Sequence, residues 1–374
     1  MAGAHPPPAR SHRAPRGDTA VTSTQEKLET IHSVRAEFDA IFTWDYARSR
    51  DALVKLYEKA KTSQWNATTD LDWSVDVDPE KIANELGGGG TMRFQALQEA
   101  EGSPVKHFGE KEWNRVGVEL QNSLLSQFMH GEQGALLCTA RIVETVPWID
   151  AKYYASTQVM DEARHVEVFA RYLDEKLGHQ YGINDNLKGI LDDILADSRW
   201  DIAYLGMQIM VEGLALAAFG MMHQVTTEPL LKKLLRYVMS DEARHVAFGV
   251  LSLQEYYEEL DAAELRERQE FAFDVARRLQ RRFAHTEMWE RMGVDPAAVY
   301  RTMDKVNPPA QQAFQTLLFS KIVPNCKKLG LLDGGDGWLR ERFTEIGVIQ
   351  FEDWADTGEE YAALDEVAKD RASA

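Results

Sequence analysis

Two cysteines in 374 residues leave no basis for a disulfide framework. Cys138 and Cys326 stand far apart, neither in a Cys-x-x-Cys pair, and read as reduced packing thiols. Long apolar runs are also missing: no stretch of 18 consecutive apolar residues occurs, so no membrane span is expected. Positive charge is scarce. The chain has 42 basic against 60 acidic side chains, a net charge of −18, which argues against a nucleic-acid surface and suits a cytoplasmic protein. The run Gly87 to Gly90 has no following Gly-Lys-Ser/Thr, so it reads as a hinge or mobile loop and not as a phosphate cradle. Residues 1–22 are rich in Pro, Ala and Arg, with Pro6-Pro7-Pro8 and no apolar signal core; they read as a disordered extension ahead of a single helical domain over 23–374.

What is present is a repeat. Asp-Glu-Ala-Arg-His-Val occurs at Asp161 to Val166 and again, eighty positions on, at Asp241 to Val246. Each copy contains Glu-x-x-His, Glu162 with His165 and Glu242 with His245. Residues at i and i+3 share a helix face, so one carboxylate oxygen and one imidazole nitrogen can reach one ion. Thirty residues before each of these glutamates stands another, Glu132 and Glu212, each inside an apolar stretch. An unpaired charge there would cost several kcal/mol, so something must neutralise it.

The thirty-residue spacing predicts a geometry. Its midpoints are Pro147 and Thr227, the latter beside Glu228-Pro229, and proline breaks a helix or opens one. A chain that climbs about fifteen residues, turns and descends as many returns to the same height at roughly 1.5 Å per residue. Each lone glutamate then faces its own Glu-x-x-His across a helical hairpin. Two hairpins packed face to face place Glu132, Glu162, His165, Glu212, Glu242 and His245 at one level of a four-helix core. Such carboxylate and imidazole donors suit iron or manganese better than structural zinc.

The flanking residues extend the pattern. A metal-bound histidine donates its second ring N–H to a neighbouring acceptor, which predicts a crossed pairing of Asp241 with His165 and Asp161 with His245. Arg164 and Arg244 are then the cations that steady so acidic a shell. One turn from the ligands lie the candidate pocket residues Phe128, Ala135, Leu136, Phe169, Ala215 and Leu216, apolar and suited to a small organic substrate.

These motifs resemble the ferritin-like di-iron carboxylate superfamily. The doubled Asp-Glu-x-Arg-His over roughly Trp113 to Tyr257 is most similar to its oxygen-activating branch: bacterial monooxygenase hydroxylase subunits, acyl carrier protein desaturases, arylamine N-oxygenases and the ribonucleotide reductase small subunit. The resemblance implies an all-α ferritin-like four-helix bundle with additional flanking helices, its core at about 109–259. It implies two Fe ions, with Mn/Fe as the alternative, and dioxygen as co-substrate. The implied activity is oxygenation of a small organic or thioester-linked substrate, with N-oxygenation, desaturation or oxidation without insertion, and iron storage as alternatives. The implied partners are that substrate, a ferredoxin or reductase as electron donor and a second copy of the chain; nucleic acid and membrane are not among them. Four departures narrow the choice. Phe169 stands where the reductase keeps its radical tyrosine, and Glu132 where the reductase has aspartate. Ala215 and Leu216 occupy the offsets of a monooxygenase threonine, and Val238 that of the third histidine of some N-oxygenases.

Helices are predicted near 109–146, 148–177, 198–225 and 229–259, with a crossover over Gly178 to Ser198 holding a short helix at Leu187 to Leu195. Two helices bent near Thr43-Trp44 are expected from Ser23 to Trp65, then a loop to Pro79. Beyond the core, helices are expected at Ala262 to Met292 and Pro309 to Leu329, followed by a tail with Gly334-Gly335-Asp336-Gly337.

Overall fold

The computed structural model describes residues 31–87, 90–281, 285–306 and 316–357. Two compact units divide the chain, Met1–Arg35 and Ala36–Ala374, and every helix described here lies in the second. The extension expected over residues 1–22 lies outside the described residues, as do Gly88 and Gly89 of the glycine run. The described residues are helical without strands.

Before the core come α1 (Asp51–Thr62), α2 (Pro79–Gly87) and α3 (Gly90–Glu99). The core helices are α4 (Glu110–Thr145) and α5 (Ile149–Tyr172), then, after the crossover helix α6 (Asp185–Ala196), α7 (Trp200–Val225) and α8 (Pro229–Glu258). The turn between α4 and α5 contains Pro147, which cannot continue a helix. Between α7 and α8, Glu228 accepts from the N–H groups of Leu230 and Leu231 at 2.8 and 2.6 Å, with Pro229 in the first turn. The Asn184 side chain caps α6 by accepting from the Leu187 N–H at 2.9 Å. Helix α4 packs on α5 and α7 on α8, and the two hairpins meet through α4 with α7 and α5 with α8. Among the described residues, α7 alone is long and apolar enough to cross a membrane; its apolar window is wholly buried in the bundle and carries Glu212.

A π-helical stretch, Leu205–Val211, interrupts α7 directly before Glu212. The extra residue per turn re-aims the side chains that follow, and such bulges recur at functional sites. Gln208 in this stretch packs against α8 where Gly249 lets the backbones approach; a Cβ at Gly249 would stand 2.7 Å from Gln208 Cβ. Gly249→Ala is therefore expected to cost about 1–3 kcal/mol by overpacking. The check is a lower urea midpoint with unchanged slope.

The N-terminal reading needs correction. Of the span read as two helices, residues 31–50 carry no helix and Asp51–Thr62 forms α1, while residues 23–30 lie outside the described ones. Ile41 N–H donates to Glu144 O at 2.8 Å and Thr43 Oγ1 to Pro147 O at 2.7 Å. Asp150 accepts from the N–H groups of Ser49 and Arg50 at 3.0 and 3.1 Å and from the Arg48 side chain. This segment thus meets polar groups at the α4–α5 turn in place of an intrahelical ladder.

The flanking helices are α9 (Ala262–Arg281), α10 (Thr286–Arg291), α11 (Pro296–Val306), α12 (Ile322–Lys328) and α13 (Trp338–Glu345). The helix expected to run to Met292 ends as α9 at Arg281, and α10 is a separate short piece. The expected start at Pro309 lies outside the described residues. The supposed tail is folded: Gly335 and Gly337, at φ 66° and 74°, turn the chain into α13. A buried pair, Arg268 Nε donating to Asp201 Oδ2 at 2.9 Å, ties α9 to α7.

Candidate metal centre

The two hairpins bring all six sequence-predicted donors together. Glu132 on α4, Glu162 and His165 on α5, Glu212 on α7 and Glu242 and His245 on α8 are each at most 4 % exposed. Their donor atoms form two groups, Glu132–Glu162–His165–Glu242 and Glu162–Glu212–His245, each with one atom per residue within 4.8 Å of the others. Glu162 belongs to both.

Contacts to the imidazoles sort the carboxylates. Glu162 lies 3.4 Å from His165 Nδ1 and 3.0 Å from His245 Nδ1. Glu242 likewise lies 3.0 Å from His165 Nδ1 and 3.6 Å from His245 Nδ1. Glu132 approaches His165 alone, at 3.3 Å, and Glu212 belongs only to the His245 group. The Glu-x-x-His glutamates are central, and the lone glutamates are lateral.

Both rings point Nδ1 into the cluster and Nε2 outward. His165 Nε2 is 3.2 Å from Asp241 Oδ2 and His245 Nε2 is 3.4 Å from Asp161 Oδ2, the crossed arrangement. With Nε2 protonated and donating to aspartate, each Nδ1 keeps a lone pair facing the carboxylates. Arg164 donates to Asp161 and, at 3.3 Å, to Asp241. Arg244 donates to Asp241 and lies 3.6 Å from Asp161.

Sequence reasoning missed three side chains. Trp65 Nε1 donates to Asp241 Oδ2 at 2.7 Å, and its ring lies under the Arg164 guanidinium, 4.6 Å from the centroid. Gln64 donates to Asp161 Oδ1 at 3.1 Å and accepts from Arg164 at 2.8 Å. Both come from the segment after α1, with no motif to mark them. Gln158 donates to Glu162 Oε1 at 2.9 Å and to Glu212 Oε1 at 3.0 Å. It precedes Glu162 by four residues, so its place on the same α5 face was legible from helix periodicity alone.

Of the apolar residues one turn from the ligands, Phe128 and Phe169 are buried against Phe219, with ring centroids 4.6 and 5.6 Å away. Ala135 and Ala215 are buried and Leu136 half-buried, whereas Leu216 reaches a groove outside the four-helix core. Val238 is buried in the core.

The electrostatics show what the cluster lacks. Burial, then the charge of Glu242, pushes Glu132 up to about 8. Burial and the charges of Glu162 and Glu242 raise Glu212 well above the carboxylate range. Burial alone would keep His165 and His245 neutral, yet the surrounding carboxylates raise both well above the usual imidazole value. Burial opposes charge on Glu162 too, but the two imidazoles hold it below the carboxylate range. Protons stand in for positive charge. Glu162 Oε2, Glu212 Oε2, both Glu242 oxygens and His245 Nδ1 are buried without hydrogen-bond partners, a costly state for a protein that leaves few such atoms. Glu132, Glu162, Glu212, Glu242, Asp161 and Asp241 against Arg164 and Arg244 leave four negative charges when both imidazoles are neutral. Two divalent cations neutralise them. The donor set fits a di-metal site.

Fold and site thus define the class: a helical protein with a buried carboxylate–histidine centre suited to two metal ions. Residues 47–330, well over half of the chain and all of the site, match the profile of the P-aminobenzoate N-oxygenase AurF family, and the chain belongs to that family. No curated protein matches the sequence. Among solved structures, the chain is similar to variants of an R2-like ligand-binding oxidase. One, with an aerobically reconstituted Mn/Fe cofactor, shows 19 % identity and a TM-score of 0.49 over 76 % of this chain and 94 % of that one. Another, with an anaerobically reconstituted Mn/Fe cofactor, shows 20 % identity and a TM-score of 0.48 over 76 % and 94 %.

Proposed function

We propose that this enzyme inserts an oxygen atom from dioxygen into the nitrogen of a small aromatic amine, using two iron ions held by Glu132, Glu162, His165, Glu212, Glu242 and His245. The observation that carries the reading is the cluster of buried, unpartnered carboxylate oxygens inside the segment that matches the N-oxygenase family. Reduced iron, when bound, supplies the electrons and open coordination positions for oxygen activation. The chain's own residues do the rest. Asp241 and Asp161 fix the imidazole tautomers, Gln158 orients Glu162 and Glu212, and Phe128, Phe169 and Phe219 keep water from the core. Each turnover needs two external electrons to return the iron to its reduced state, which calls for a ferredoxin or reductase partner.

One observation favours a second reading, oxygenation at carbon: buried Val238 stands where some N-oxygenases carry a third histidine. A single turnover of the reduced, iron-loaded protein with p-aminobenzoate under ¹⁸O₂ separates the two. Label in the N-hydroxy product is expected, with nitroso and nitro products appearing only under multiple turnover with an added reductant. A ring-hydroxylated product replaces this reading with the second, dehydrogenation without label points to an oxidase or desaturase, and oxidation of many ferrous ions per chain points to storage. Iron and manganese contents near zero after reconstitution would sink every form of it.

A further inference from the structure

The two sides of the ligand layer differ. Toward the α7–α8 turn the core is apolar, with Phe128 and Phe169 packed on Phe219. Toward the α4–α5 turn it carries hydroxyl and amide groups. Trp200, Tyr204, Gln208 and Glu212 follow one another at intervals of four along α7, so they share a face that runs from the helix start to a ligand. Thr139 stands seven residues beyond Glu132 on α4, and Ser252 seven beyond His245 on α8, each two turns on along the ligand's own face.

These groups are wholly buried, and their bonding is incomplete. Gln208 Nε2 donates to Thr139 Oγ1 at 3.4 Å, while Gln208 Oε1 has no partner. The Ser252 hydroxyl lies beside the Tyr204 phenol, where it counters the burial that pushes the phenol's pKa up, yet neither oxygen has a partner of hydrogen-bonding geometry. Glu212 Oε2, one turn from Gln208, is open in the same way. A protein leaves few such atoms, and a file of them between a ligand and the helix end is what buried waters satisfy. At the outer end Trp200, its ring 5.7 Å from that of Tyr204, lines a pocket of about 680 Å³ with Thr145, Ser198, Asp201 and Tyr256.

We propose that Tyr204, Ser252 and Gln208 hold a file of waters that carries protons from the Trp200 pocket to the metal centre. The inference rests on the oxygenation reading for the use of those protons. Oxygenation of an amine breaks the O–O bond, forms one N–O bond and releases the other oxygen as water, which with two electrons from the iron takes up two protons. The ligands are at most 4 % exposed, so the protons must cross the core, and the phenylalanines on the other side can pass none. The waters move the protons and the side chains position the waters, Tyr204 and Ser252 in the outer half and Gln208, braced by Thr139, beside Glu212.

The test has two readouts on the full-length, iron-loaded protein. In its crystal structure, ordered waters are expected within hydrogen-bonding distance of Tyr204 Oη, Ser252 Oγ and Gln208 Oε1. In stopped flow, the reduced protein with p-aminobenzoate is mixed with dioxygen in H₂O or D₂O and followed by iron absorbance. Tyr204→Phe with Ser252→Ala removes two unpartnered oxygens and adds no volume, so the fold should hold. The oxygen reaction of this variant is expected to slow by at least about tenfold, with a larger solvent isotope effect than wild type and the same iron content. Gln208→Met, close in shape, should act likewise. Tyr257→Phe takes an equally unpartnered buried hydroxyl from another face of α8 and should change neither rate nor isotope effect. Absence of those waters, a double variant that matches wild type in rate and isotope effect, or slowing that tracks loss of iron would overturn the proposal. A wild type that forms no N-hydroxy product would instead defeat the oxygenation reading, with the waters and the isotope effect still deciding for or against the file.

Discussion

Glu162→Gln empties both metal positions, whereas Glu132→Gln empties one. The difference follows from position. Glu162 supplies a donor atom to each of the two clusters and faces both imidazoles, at 3.4 and 3.0 Å. Glu132 faces His165 alone. Iron per chain after anaerobic reconstitution is therefore expected near zero for the first variant and near half the wild-type content for the second. Turnover in Glu162→Gln should fall by at least about 100-fold, since loss of even an outer partner costs 10–100-fold in affinity or activity. Unfolding is not the cause. Without metal the core holds carboxylates that repel one another, and burial with the charges of Glu162 and Glu242 raises Glu212 well above its usual range. Glu162 itself is held below that range by the two imidazoles, so Glu162→Gln costs the chelated protein some stability; it is expected to melt cooperatively somewhat below chelated wild type, with no further loss on adding chelator. Wild type, in contrast, loses stability on chelation, because the ions bind the folded state. Equal iron contents in the two variants would refute the assignment of Glu162 as the shared ligand.

The ligand set was legible because helix periodicity writes it into the chain. Residues at i and i+3 share a face, and two thirty-residue hairpins with turns at 146–148 and 226–228 return their glutamates to the level of Glu-x-x-His. The same logic located the four core helices to within a few residues, since proline and caps mark their ends. It failed where local pattern yields to tertiary bonds. Residues 31–50 carry a helical pattern, yet the α4–α5 turn and Asp150 capture groups along them. The π-helical stretch before Glu212 depends on which carbonyl each N–H selects, and that choice leaves no mark on composition. Trp65 and Gln64 lie 176 and 97 positions from the aspartates they touch, so only the folded chain reveals them.

Asp241→Ala is expected to cost about 3–5 kcal/mol of stability as well as iron, because it strips one acceptor from four donors at once. Trp65 Nε1, His165 Nε2 and Arg164 converge on Oδ2 at 2.7, 3.2 and 3.3 Å, and Arg244 donates to Oδ1. Arg164 and Arg244, 6 % and 1 % exposed, would be left to share Asp161. Two roles are mixed in that loss, charge balance and the hold on His165, and a second substitution separates them. In Asp241→Ala with Arg244→Met, one unpaired buried cation is gone, so part of the stability returns in urea unfolding. The iron content does not, since His165 Nε2 still lacks its acceptor and the ring is free to turn its Nδ1 away from Glu162 and Glu242. Iron restored together with stability would mean that Asp241 serves charge balance alone, and that the tautomer of His165 is set by the carboxylates on its other side.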